Sequence, residues 1–156
     1  MKSKILAALA LLFLVIQFFR PAKNLSAAQP FTGANEITTL HSASPEVKQI
    51  LATACYDCHS NQTRYPWYAE VQPVAWWLAN HINDGKRHLN FSEFGTYTTK
   101  RKMKKLEEIC DEVKDHGMPL KSYLLVHRDA KLTDAQIAAL CQWAQGAQDA
   151  VAQQKP

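Results

Sequence analysis

Cys55-Tyr56-Asp57-Cys58-His59 sets two thiols three positions apart and an imidazole directly after the second. On one helical turn the two sulfurs reach along the same edge of a flat ligand. The adjacent ring then brings a nitrogen toward that ligand's centre from the same face. C-x-x-C-H is the attachment pattern of c-type haem, in which the sulfurs bond covalently at the porphyrin vinyl groups and the histidine is an axial iron ligand. With 4 Cys and 6 His in 156 residues, about 0.004 such motifs are expected by chance. Two other chemistries use C-x-x-C. A thiol–disulfide redox pair calls for a βαβ setting that the chain does not show. A zinc site calls for a second ligand pair, and Cys110 and Cys141 stand far apart in the chain. The expected cofactor is one covalent haem c per chain, on Cys55, Cys58 and His59.

An iron held by His59 has a sixth position, and its occupant separates electron transfer from ligand chemistry. The candidates are Met103, Met118, His41, His81, His88, His116 and His127. Met118 fits best. Gly117 closes a helix, Met118 follows in the loop, and Pro119 sets the chain's direction, so a thioether is presented free of helical geometry. Met103 falls in a helical apolar stripe and reads as core filling. His81, on a short aromatic helix, is the strongest rival, and the other histidines read as solvated. A histidine ligand and an open or water-held position are the alternatives to His59/Met118 ligation.

These groups need helices to position them. Ser44-Pro45-Glu46 predicts a helix start, with Ser as N-cap and Pro at the first turn, and Val47, Ile50, Leu51 and Ala54 bury one face up to Cys55. Val74 to Asn83 predicts a short helix ending near Gly85. Thr99 to His116 predicts a charged helix whose stripe is Met103, Leu106, Ile109, Cys110 and Val113. Thr133 to Gln136 is a capping-box start for a last helix, with Ile137, Leu140, Cys141 and Ala144 inward. Asn61 to Pro73 is an aromatic loop, Pro21 to Ser42 reads as a linker or extended arm, and no strand alternation or repeat is visible. Cys110 and Cys141 sit on two apolar stripes and read as buried free thiols, a disulfide between the helices being the alternative.

Ile5 to Phe19 is an apolar run broken only by Gln17, behind Lys2 and Lys4. That is the plan of an export signal. Cleavage after Ser26-Ala27-Ala28 makes it a signal peptide, and retention makes it a signal-anchor. At 1.5 Å per residue it spans roughly 22 Å, short of the roughly 30 Å hydrocarbon core unless Lys4 and Arg20 snorkel. The net charge of +4 belongs to this end: Lys2, Lys4, Arg20 and Lys23 precede the first acid, Glu36, and the rest of the chain is balanced. No nucleic-acid partner is expected. Tyr65, Trp67, Tyr68, Trp76 and Trp77 read as a wall around the porphyrin, the alternative being a core or membrane-facing patch. The lysines and arginines of residues 86–105 read mostly as a solvated face, with pairing to haem propionates as the other use.

The order C-x-x-C-H, Met118-Pro119, then Leu132-Thr133-Asp134 opening a helix with Trp143 resembles a class I cytochrome c. Cys55 to Tyr68, Trp76-Trp77 and Met118-Pro119-Leu120-Lys121-Ser122-Tyr123 more closely resemble a bacterial family of small exported haem-binding domains with one C-x-x-C-H, over about residues 35–146. The resemblance implies covalent haem and a redox role. The expected fold is all-α, a small cytochrome c-like helical domain wrapped around one haem, with an N-terminal hydrophobic helix. Residues 1–28 are the signal-anchor or signal peptide, 29–42 the linker and 43–150 the haem-binding domain. The expected function is single-electron transfer in the periplasm, at the inner membrane or soluble, with periplasmic or membrane redox proteins as partners and no catalysis of its own. A haem-based sensor or gas-binding module, and less favourably a haem peroxidase, are the other readings; the single motif and the lack of an evident distal acid–base pair argue against the peroxidase.

Overall fold

The computed structural model describes residues 1–26 and 29–154. The fold is all-α. In chain order the α-helices are α1 (Lys2–Ile16), α2 (Ile37–Leu40), α3 (Pro45–Ala54), α4 (Tyr56–His59), α5 (Val74–His88), α6 (Thr99–Lys114), α7 (Lys121–Leu124) and α8 (Asp134–Gln153). Three 3₁₀ turns, Trp67–Glu70, Phe91–Thr96 and Arg128–Ala130, join them. The described residues contain no strand, only a single bridge between Leu25 and Gln62.

Local chemistry starts the longer helices where the sequence predicts. Ser44 Oγ accepts from Val47 N at 3.2 Å to cap α3. Thr98 caps α6, and Thr133 and Gln136 close a capping box on α8. Each such cap contributes about 1 kcal/mol by satisfying a donor that the helix leaves open. Two boundaries differ. α6 ends at Lys114, short of the expected His116, whose φ of 53° lies in the left-handed region. α5 runs through Gly85 to His88, because that glycine serves a close helix crossing and not a helix end.

The body is built on α6 against α8. Gln148 Nε2 donates to the Met103 carbonyl, and Cys141 lies against Cys110, so the two helices run antiparallel. Leu106, Ile109 and Val113 meet Ile137, Leu140, Ala144 and Val151 in one buried cluster that also takes in Val47, Ile50 and Leu51 of α3. Fully burying a side chain of this kind contributes roughly 1.5–3 kcal/mol. Because the two stripes face each other, Cys110 and Cys141 come to a Cα separation of 4.9 Å and are joined as a disulfide. This corrects the expectation of free thiols: each cysteine reads as an ordinary member of its own stripe, and only the pairing of the helices makes them partners.

The linker expected at 29–42 is corrected over its second half. Glu36, Ile37, Thr38 and His41 are buried, and Ile37 belongs to the core cluster. The polar composition concealed this, because the buried carboxylate of Glu36 is itself a structural group. His41 is likewise buried and not solvated, its ring edge-on to Phe94 and its carbonyl accepting from Trp143 Nε1.

α1 buries none of its residues. Among the described residues no helix is long and apolar enough to cross a membrane. The chain after α1 is docked, not loose. Gln17 Oε1 accepts from Gln72 N at 2.9 Å, Gln72 Nε2 donates to the Phe19 carbonyl at 3.0 Å, and Arg20 and Lys23 both pair with Glu70. The cleavage site considered at Ser26-Ala27-Ala28 includes Ala27 and Ala28, which lie outside the described residues.

The disulfide closes a loop 31 residues long, for which chain-entropy arguments give about 3–4 kcal/mol of stabilisation. Cys110→Ala with Cys141→Ala should therefore lower the unfolding free energy from chemical denaturation by an amount of that order and bring the midpoint down with it, with the far-UV helical signal of the native state unchanged. An unchanged midpoint shows that the pair is not bonded in the folded protein.

Candidate functional site

A cavity of about 480 Å³ opens between α4, α5, α6 and the loop that follows α6. Cys55, Cys58, His59, His81 and Met118 all line it. Met103, His41, His116 and His127 do not; Met103 packs against the core cluster as its stripe position predicts.

Each motif residue is held from outside its own short helix. The Tyr56 hydroxyl donates to Glu36, whose carboxylate also accepts from Thr38 N at 3.0 Å and Thr38 Oγ1 at 2.8 Å. Tyr56 is stacked on Phe91, ring centroids 5.2 Å apart, and its phenol is pushed up by burial and by that hydrogen-bonded carboxylate. Asp57 is nearly buried and fully partnered. Its Oδ1 accepts from Arg64 N at 3.0 Å and Nε at 3.2 Å, while Oδ2 accepts from Arg64 Nη2 at 3.1 Å and from the Tyr123 hydroxyl at 2.8 Å. Tyr123 also lines the cavity, so one carboxylate inside the motif anchors the segment just after Met118-Pro119.

Cys58 is crossed by α5 at Gly85. A Cβ at that position would meet the Cys58 carbonyl oxygen at 2.7 Å. Cys55 and Cys58 are both free thiols. Burial pushes them up, to about 12 and about 11, with charge on Cys58 and on Asp57 adding in turn. Both are protonated at neutral pH, unlike the depressed thiols of disulfide oxidoreductases.

His59 makes its ring bond to the Leu89 carbonyl, Nδ1 to O at 2.9 Å. A carbonyl only accepts, so Nδ1 carries the proton and Nε2 keeps its lone pair. Burial is the largest influence on this ring and holds it below the ordinary histidine value, in the neutral form that binds metals. The cavity floor is apolar, with Leu89, Phe91, Ile109, Val113 and Leu140, and its rim carries charge. His81, Asp84 and His88 line it from α5, spaced to share a helix face. Lys105, Glu108 and Glu112 line it from α6. Burial raises the Glu108 carboxyl, but the ammoniums of Lys105 and Lys104 outweigh it and hold it below the usual range. A flat apolar group matches the floor, the rim sets Asp84, Glu108 and Glu112 against Lys105, and two thiols beside an oriented imidazole form a donor set that fits haem.

The aromatic wall is corrected. None of Tyr65, Trp67, Tyr68, Trp76 or Trp77 lines the cavity; Phe91 and Tyr123 supply its aromatic surface. Tyr65 instead accepts from Asn24 N at 2.6 Å, Trp76 Nε1 donates to the Phe19 carbonyl at 2.7 Å, and Trp67 is 81% exposed. The 3₁₀ turn and the start of α5 face the docked N-terminal arm and solvent. Most of the basic cluster is exposed as expected, and Lys105 is the lysine of it that lines the cavity.

Sequence reading missed Glu36, Asp57, Arg64, Gly85, Leu89 and Tyr123. Asp57 had a signal, since an acid between the two motif cysteines needs a partner if buried; the others depend on contacts distant in sequence.

A family model described as a haem-binding domain matches residues 11–146. The chain belongs to that family, which makes it a haem-binding protein. No curated protein and no solved structure matches the chain.

Gly85→Ala places a methyl against a backbone oxygen that cannot swing aside, so it should destabilise the domain by about 1–3 kcal/mol and cut the yield of haem-loaded protein several-fold. Gly146→Ala has nothing within 4 Å and lies inside α8, so it should be neutral or stabilising by about 0.5–1 kcal/mol. Thermal melts of the two variants with their haem content check both; equal behaviour contradicts the close crossing.

Proposed function

We propose that this protein is a single-haem c-type electron carrier, exported and kept at the periplasmic face of the inner membrane by its N-terminal helix. The observation that carries the reading is the convergence on one apolar cavity of two free protonated thiols, an imidazole with a free Nε2 and a loop methionine thioether. Cys55 and Cys58 would hold the porphyrin as thioethers, with His59 Nε2 and Met118 Sδ as the axial donors. When bound, haem supplies reversible one-electron chemistry at its iron.

The chain's own residues do the rest. The Leu89 carbonyl fixes the His59 tautomer. Phe91, Ile109 and Leu140 exclude water from the floor. Pro119, with Tyr123 tied to Asp57, sets the Met118 segment over the cavity. The open, charged rim suits transient docking of a periplasmic or membrane redox protein, with no substrate pocket required. The Cys110–Cys141 disulfide supports an oxidising compartment, and the apolar α1 behind Lys2 and Lys4 supports export.

One observation favours a second ligation. His81 also lines the cavity, its Nδ1 2.9 Å from the Trp77 carbonyl, which leaves Nε2 with a lone pair as at His59. A His59/His81 pair is the competing centre.

Covalent attachment is read on a denaturing gel: the wild-type chain should keep haem peroxidase stain, and Cys55→Ala with Cys58→Ala should lose it. Stain persisting in the double variant removes the c-type assignment.

The axial pair is read from spectra. A thioether favours ferrous iron and raises the potential relative to bis-histidine ligation. Met118→Ala should keep the haem attached, convert low-spin iron to high-spin or water-bound iron, admit carbon monoxide to the ferrous form and lower the potential. His81→Ala should leave the low-spin spectrum as it is. The reverse pattern assigns His81 as the ligand.

A further inference from the structure

We infer that one face of the haem domain, built from Trp67, Trp76, Trp77, Leu125 and Val126, rests in the phospholipid interface beside α1; this rests on the membrane reading of α1 proposed above. Large apolar side chains on a soluble surface are ordinarily scattered, and a cluster marks an interaction site. Of the nine large apolar side chains exposed after α1 among the described residues, seven belong to this region: Phe18, Phe19, Trp67, Trp76, Trp77, Leu125 and Val126.

Contacts tie them into one surface. Trp76 Nε1 donates to the Phe19 carbonyl at 2.7 Å, and Arg20 pairs with Glu70 at the end of the turn that Trp67 begins. Tyr68, next to Trp67, reaches His127 Nε2 at 3.3 Å, and His127 directly follows Leu125-Val126. Trp67 is 81% exposed and Leu125 76%, although both could have been polar at no cost to the core.

The bilayer is the occupant because the face continues the surface of α1. None of α1 is buried and all of it but Ile16 is exposed, and the chain leaving it is clamped at Gln17, Phe19, Arg20 and Lys23. A 15-residue helix rises about 22 Å, roughly 8 Å less than a hydrocarbon core. A short span is accommodated by drawing its flanks into the bilayer. Lys2 and Lys4 snorkel at one end. At the other, Phe18, Phe19 and the clamped tryptophans come to headgroup depth, where amphipathic rings concentrate. The domain is then held in one orientation against the membrane and not suspended on a tether.

The test uses the full haem-loaded chain in phosphatidylcholine–phosphatidylglycerol vesicles containing phosphatidylcholine with a diazirine acyl chain. After photolysis, adducts are mapped by peptide mass. Adducts should fall on residues 2–19 and on the segments holding Trp67, Trp76-Trp77 and Leu125-Val126, and be absent from the exposed lysines of α6. The exposed-site variant Trp67→Ser, Trp77→Ser, Leu125→Ser should keep its haem and lose those domain adducts several-fold while keeping the α1 adducts. A chain that pellets with adducts confined to residues 2–19, its tryptophans open to an aqueous oxidant, overturns the inference and leaves the face to a protein partner. A mature chain that has lost residues 2–19 and stays in the supernatant overturns the membrane reading and this inference together.

Discussion

Four residues of helix cannot hold two thiols and an imidazole in place by themselves. An isolated turn lies below the length at which helix formation sustains itself, so α4 must be gripped by the rest of the molecule, and much of the fold reads as that grip. Tyr56 is fastened to Glu36, Asp57 to Arg64 and Tyr123, the Cys58 backbone to Gly85, and His59 to Leu89. Each fastening recruits a different stretch of chain. Glu36 requires the segment before α3 to be core. Leu89 requires α5 to run on past Gly85 and stop there. Tyr123 requires α7 to fold back onto the motif after the Met118-Pro119 bend.

Two of these anchors are carboxylates largely removed from bulk water, and a buried charge is costly unless its oxygens are saturated with donors. Glu36 takes a phenol, a hydroxyl and a backbone amide; Asp57 takes a guanidinium, a phenol and a backbone amide. Such sites are unforgiving in geometry, because loss of one partner leaves the charge behind. That stiffness suits a motif whose atoms have to meet a rigid planar group within tenths of an ångström. The cavity has the same logic on a larger scale, apolar where a porphyrin ring would be buried and charged where its edge would meet water.

The aromatic segment shows how one composition serves two physical ends. A flat cofactor and a membrane interface both attract tryptophan and tyrosine, the first for area and the second for an apolar body with a polar handle. The rings that line the cavity, Phe91 and Tyr123, come from outside the segment that is dense in aromatics. The dense cluster from Tyr65 to Trp77 faces outward toward the docked arm that follows α1. Density of a residue type therefore did not report which surface it covers.

What the sequence by itself determined is local. Caps on α3 and α8, the 3.6-residue stripes of α6 and α8, the all-α class and the C-x-x-C-H of a haem-binding domain all depend on residues a few positions apart, and were legible for that reason. Tertiary structure alone decided the rest. Cys110 and Cys141 became a disulfide because two stripes meet in antiparallel register. Gly85 became a crossing point because the Cys58 carbonyl lies under it. Glu36, Ile37, Thr38 and His41 became buried where the Glu36 carboxylate meets the buried Tyr56 hydroxyl. Met118 and His59 came to line one cavity where the segment after α6, through Tyr123, is tied to Asp57 of the motif. In each case the meaning of a residue was set by a neighbour distant in the chain, and a periodicity carries no information about which faces will meet.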